Sequence, residues 1–168
     1  MLTWGEEDYL SKIPEDKKVK IFPYDEKIEK IANEIIGKVH NYLPELEVRH
    51  MGASSLKLSG QGDIDIYIFS RPGDFGKYKP KLVEVFGDFK NEKYDSVAWK
   101  FEEKGHDVEL YLTDPTSEPM QRQIEVTQKL KESNTLRNEY KMLKEELNGK
   151  SFREYQRKKY EFYHKLLD

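Results

Sequence analysis

Apolar residues at Ile28, Ile31, Ala32, Ile35, Ile36 and Val39 recur at i, i+3, i+4, i+7, i+8 and i+11. That spacing puts them on one stripe of a helix. The helix is expected to start after Asp25 as N-cap and to end near Tyr42, before Pro44. Ahead of it, residues 1–17 read as a loop or short helix, and Val19, Ile21 and Phe22 as a short strand or arm ending at Pro23. Leu46, Val48 and His50 alternate as a strand does and lead into Gly52. From Asp63 to Phe69 the alternation is strict: Asp-Ile-Asp-Ile-Tyr-Ile-Phe. Ile64, Ile66 and Ile68 then face a core, and Asp63 and Asp65 project together from the other side.

Arg71-Pro72-Gly73-Asp74 reads as a turn. Pro80 is expected to open a helix carrying Leu82, Val83, Val85, Phe86 and Phe89. A strand from Tyr94 to Phe101, a hairpin turn at 103–106 and a strand from Asp107 to Leu112 follow. In the last of these, Val108, Leu110 and Leu112 face one way, and Asp107, Glu109 and Tyr111 the other. Beyond Pro115 the chain reads as helical throughout. Met120, Ile124 and Leu130 mark one helix, and Leu136, Tyr140, Leu143 and Leu147 a second. Gly149 is a C-cap candidate, and Ser151 with Glu154 is a capping-box signature opening a last helix. In that helix Phe152, Tyr155, Phe162 and Leu166 are expected to face inward, which is preferred to an RNA-contacting aromatic-basic run over 152–160.

The fold class is therefore α+β: a small mixed sheet flanked by helices, with a C-terminal helical segment. The expected division is a core over 1–114 and helices over 115–168 packed on it, in one compact unit. The net charge of −3 argues against a surface that coats nucleic acid. Cysteine is absent, so disulfides and thiolate metal sites are excluded. No apolar run approaches the roughly 20 residues of a membrane span. The opening Met-Leu-Thr-Trp-Gly-Glu-Glu-Asp has no basic stretch before an apolar core, so a cytoplasmic protein is expected.

Two carboxylates side by side repel unless a cation lies between them, and hard oxygen donors suit Mg²⁺ or Mn²⁺ carrying phosphates. Asp63 follows Gly52 by eleven residues, and Glu109, between Val108 and Leu110, offers a third carboxylate on a later strand. Asp107 competes for that third place. A Gly turn, then Asp-apolar-Asp, then a later acid resembles the DNA polymerase beta-like nucleotidyltransferase superfamily. Val19-x-x-Phe22-Pro23-Tyr24-Asp25, His50-Met51-Gly52-Ala53-Ser54-Ser55, and the closing run of Glu139-Tyr140, Leu143-Lys144, Leu147, Tyr155, Lys159 and Phe162 resemble the GrpB family within it.

The resemblance implies a nucleotidyltransferase-like core and transfer of a nucleoside monophosphate from an NTP, such as ATP, to a hydroxyl or phosphate acceptor. It implies two metal ions on Asp63, Asp65 and Glu109, with phosphates on Gly52, Ala53, Ser54 and Ser55. By position, His50 either orients the turn and contacts phosphate or is a structural histidine, and Lys57 either meets phosphate as a point charge or is simply exposed on its loop. The acceptor is expected to be a small molecule or protein rather than nucleic acid. The alternative is a nucleotide- or phosphometabolite-binding protein without turnover. Ala53 stands where the family has a hydroxyl, and Leu56-Lys57-Leu58-Ser59 replaces Val-Pro-Gly-Leu. Conversely, Asp63 with Asp65, and Asp107-Val108-Glu109 in place of His-apolar-His, make the acid set fuller than the family's usual one. Arg137, Lys144 and Lys159 lie on the closing helices, either facing the cleft or, as is commoner for such residues, on solvated helix faces.

Overall fold

A computed structural model describes residues 1–168. Five strands form one mixed sheet: β1 (Glu47–Met51), β2 (Ile64–Phe69), β3 (Asn91–Lys93), β4 (Ser96–Glu103) and β5 (His106–Thr113), in the order β1-β2-β5-β4-β3. Only β2 and β5 pair in parallel; their register sets Asp65 opposite Glu109 and Tyr67 opposite Tyr111. Six helices surround the sheet: α1 (Trp4–Ser11), α2 (Lys27–Tyr42), α3 (Phe75–Phe86), α4 (Glu118–Glu132), α5 (Asn134–Glu146) and α6 (Phe152–Leu167). The expected mixed sheet with flanking helices and a helical C-terminal segment is what the structure shows. No helix is long and apolar enough to cross a membrane.

The alternation in β2 and β5 explains the main core. Ile64, Ile66, Ile68, Val108, Leu110 and Leu112 leave one sheet face and pack with Ile31, Ile35 and Val39 of α2 and Tyr78 and Leu82 of α3. Burying such side chains contributes on the order of 1.5–3 kcal/mol each. The opposite face carries Asp65, Tyr67, Glu109 and Tyr111, and the C-terminal helices cover it through Met120 and Ile124 of α4, which pack with Tyr67. The two chain ends share a core of their own: Leu10, Ile13 and Val19 pack with Leu147, Phe152 and Tyr155. The aromatic run over 152–160 thus contributes to packing rather than to an exposed surface.

Several expectations shift by local chemistry. Pro80 lies inside α3, which starts at Phe75. Phe75 and Tyr78 are buried, and their packing outweighs the backbone bond that the proline cannot make. Glu26 holds the N-cap position of α2, yet Asp25 Oδ1 accepts the Lys27 N–H at 2.9 Å, so Asp25 still caps. The β4–β5 hairpin turns at Lys104 and Gly105, both with positive φ (50° and 85°), the pairing that matches strand twist. Tyr94 falls outside β4 and is exposed, while β3, too short and polar to show a pattern, had no sequence signal.

Leu110→Ala is expected to destabilise the protein by about 2–5 kcal/mol, because its site is closed on all sides. Tyr94→Ala is expected to change stability by less than about 0.5 kcal/mol. Urea denaturation of both variants checks the assignment of the inner face.

Candidate functional site

Gly52 ends β1 with φ 81°, a conformation that side-chain-bearing residues rarely adopt, and starts a 3-10 turn over Ala53–Leu56. A Cβ at Gly52 would lie 2.6 Å from Asp65 Oδ2, so the turn rests directly on the Asp65 carboxyl group. The Ser55 hydroxyl donates to the Gly52 carbonyl at 2.6 Å. The buried Ser54 hydroxyl lies 2.9 Å from His50 Nε2. Burial pushes His50 down to about 4, so at neutral pH its ring is uncharged and Nε2 can accept the Ser54 hydroxyl proton. Lys57 also has positive φ (59°) and reaches outward to within 3.9 Å of Glu29. Ala53 presents only a methyl group, 3.4 Å from where a Cβ on Gly60 would stand.

Asp65 and Glu109 leave the same sheet face, Asp63 stands just before β2, which starts one residue later than expected, and all three are half-buried. Burial pushes Asp65 up to about 8, and the charges of Asp63 and Glu109 push the same way. Asp63 is also raised, chiefly by burial, with Lys159 opposing. Glu109 accepts the Tyr111 hydroxyl at 2.6 Å and stands 3.5 Å from Lys100. Asp107 is exposed, paired across the hairpin with Glu102, and does not join the group.

Two lysines answer this concentration of acid. Lys144 of α5 is only 2% exposed, with its Nζ 3.2 Å from the Ser59 carbonyl and over the Tyr140 ring. Burial pushes it down to about 7, aided by Lys159 and opposed by Asp63 and Asp65. Lys159 of α6 lies by the ring of Tyr163 and is held well above its ordinary value by Tyr163 and Tyr140, with Asp65 adding to them against burial. The solvated-face reading therefore does not hold for Lys144, nor for Lys159, which keeps only partial exposure. Arg137 serves a different purpose: it donates to the Leu130 and Lys131 carbonyls and closes the end of α4. Tyr67 and Tyr111, stacked at 4.9 Å, complete the floor; their strand alternation was visible, but nothing in the sequence marked them as neighbours of the acids.

The fit to a divalent cation is a matter of donor chemistry. Three carboxylates on one face supply hard oxygen ligands, and their mutual repulsion is what a bound cation would relieve. In position they are not gathered: no three His, Asp or Glu side chains stand close enough to hold a metal ion, and Glu109 is engaged by Tyr111 and Lys100.

Gly52→Ala is expected to cost about 1–3 kcal/mol, and less in an Asp65→Ala background, where the oxygen it would strike is gone. Equal cost in both backgrounds would mean that φ strain alone decides. Asp65 is expected to set a pH slope. Its folded value of about 8 exceeds the ordinary 3.8, so between these values the folded state holds a proton that the unfolded state has released. Stability then falls as pH rises through that window. Asp65→Asn should gain on the parent protein as pH rises, in thermal melts with EDTA present.

Among solved structures, two of the Cid1 poly(U) polymerase, one described as MgGTP bound and one as Mg 3'-dATP bound, align with a TM-score of 0.47 and 10% identity. They cover 79% of this chain, which spans 43% and 42% of theirs, less than half of each. No curated protein matches the chain. The sequence profile described as GrpB protein matches residues 18–168. With nearly its whole length matched, and with the Gly52 turn and the β2 acids inside the matched region, the chain belongs to the GrpB family.

Proposed function

We propose that this protein is a nucleotidyltransferase that moves a nucleoside monophosphate from an NTP to a hydroxyl or phosphate acceptor. One observation carries the reading: Asp65 lies opposite Glu109 on paired parallel strands, with the Gly52 turn seated on its carboxyl group. This seats the turn proposed to hold phosphate directly on one of the acids proposed to hold the metal.

Asp63 and Asp65, joined by Glu109 once it parts from Tyr111 and Lys100 and draws in, would hold Mg²⁺ or Mn²⁺, which supplies charge neutralisation at the phosphates undergoing transfer. Gly52, Ala53, Ser54 and Ser55 face the β- and γ-phosphates, with Ser54 oriented by His50 and with Lys57 at the outer edge. The acceptor oxygen forms a bond to the α-phosphorus, the bond to the bridging oxygen breaks, and pyrophosphate leaves. Glu109 takes the acceptor's proton once it parts from Tyr111. Lys144 and Lys159 balance the acids while no cation is bound. An acidic chain favours a small-molecule or protein acceptor over nucleic acid, in keeping with the net charge of −3.

A second reading, nucleotide binding without turnover, is favoured by Ala53 and by the hold of Tyr111 and Lys100 on Glu109. Calorimetric titration with ATP, GTP, CTP and UTP separates the two. Binding is expected only with Mg²⁺ or Mn²⁺, and Asp65→Asn is expected to weaken it by roughly tenfold or more. Binding that ignores both metal and Asp65→Asn would support the second reading, and absence of any nucleotide binding would overturn both.

A further inference from the structure

A cavity of about 600 Å³ opens between α1, β3, α4 and α6, lined among others by Glu6, Lys93, Glu118, Arg122, Tyr160 and Tyr163. Neither Asp65 nor Glu109 lines it. Its volume falls within the roughly 300–1,000 Å³ of small-molecule sites.

Arg122 stands half-buried at its wall, and its guanidinium bonds to a histidine rather than to a carboxylate: Nη2 lies 3.2 Å from His164 Nδ1. His164 Nε2 lies 2.8 Å from Glu6. With Nε2–H donating to Glu6, the neutral ring leaves Nδ1 to accept from Arg122; a doubly protonated ring would instead donate Nδ1–H to the exposed Asp168 at 3.3 Å. Glu6 is itself fixed by the Thr3 N–H at 2.7 Å, in the capping box of α1. The chain Thr3–Glu6–His164–Arg122 thus ties α1, α6 and α4 together and sets the direction of the guanidinium. An arginine has five N–H donors, so most remain for a ligand. Such a fork matches the oxygens of a phosphate.

The other walls restrict the ligand further. Lys93 adds a second cation, Tyr160 and Tyr163 present aromatic rings, and Glu118 offers an acceptor for hydroxyl groups. Tyr163 is held on its other side: its hydroxyl lies 3.1 Å from that of Tyr140, and Lys159 stands over its ring. We propose that this cavity binds a small phosphorylated sugar or nucleoside monophosphate. The phosphate lies on Arg122 and Lys93, the sugar hydroxyls face Glu118, and the ring lies against Tyr160 and Tyr163. Arg122 is a binding residue and His164 a positioning residue. Only the use of this ligand as the acceptor rests on the nucleotidyl-transfer reading; its binding does not.

The test is titration of the intact protein with 5′-AMP, ribose 5-phosphate and inorganic phosphate, in EDTA, followed by calorimetry and by NMR of the tyrosine rings. Either organic phosphate is expected to bind, with AMP the tighter if its base stacks on the tyrosines. Arg122→Gln is expected to weaken binding by roughly tenfold or more, the conservative Arg122→Lys by less, and Asp65→Asn not at all. His164→Ala should weaken binding while Arg122 remains, and the Arg122→Lys arm serves if Arg122→Gln melts early. Failure of all three probes to bind, or equal binding by the parent protein and the Arg122 variants, would overturn the proposal. Loss of binding on Asp65→Asn would also overturn it, by placing the ligand in the carboxylate site instead. Failure of metal-dependent NTP binding would leave it standing.

Discussion

Bringing Asp63, Asp65 and Glu109 onto one half-buried sheet face is the constraint that the rest of this molecule answers. Carboxylates that share a face and are partly withdrawn from water are unfavourable as ions unless protonated or matched by cations. Asp65 shows the cost in a carboxyl group pushed well above its ordinary range by burial and by its two neighbours. Opposite it, α5 and α6 bring Lys144 and Lys159, on a pair of helices whose other buried positions are aromatic or aliphatic except for Gln156. The C-terminal helices therefore act both as a hydrophobic cover and as a source of countercharge.

That cover is held by both ends of the chain. Val19 exchanges backbone hydrogen bonds with Gly149 and Lys150, next to the start of α6, and Phe22 does the same with Gly60 in the loop before Asp63. His106, held between the Gly62 carbonyl and Asp25, ties the start of β5 to the same loop and to the entry of α2. The Gly52 turn, the acids and the two lysines are thus positioned by strands and strapped loops rather than by free segments. A ligand reaching Asp65 would enter a site whose walls come from both halves of the chain.

The two regions of interest are chemically distinct. Around Gly52 and Asp65 the problem is surplus negative charge beside a glycine turn. Around Arg122 a cation is oriented by a histidine and a glutamate and faces open space beside two tyrosines. Tyr163 lines the second and touches Tyr140 and Lys159 on its other side.

Strand alternation alone determined that Ile64, Ile66 and Ile68 face a core and that Asp63 and Asp65 share the other side, because side chains in a strand repeat every two residues. It also separated Glu109 from Val108, and the 3.6-residue stripe of Ile28 to Val39 marked α2. Periodicity is local, so these features needed no knowledge of neighbours. What local pattern cannot carry is which strands pair and which helix face turns inward. Only the parallel pairing of β2 with β5 decided that Glu109 rather than Asp107 meets Asp65. Only the docking of α5 and α6 decided that Lys144 is buried beside acids when its sequence context reads as a solvated helix. Likewise Glu6, Arg122 and His164 lie far apart in sequence and meet through the packing of three helices. Residue type and spacing thus supplied the donors, and the long-range contacts of the folded chain decided which of them stand together, since charge interacts through space and not along the sequence.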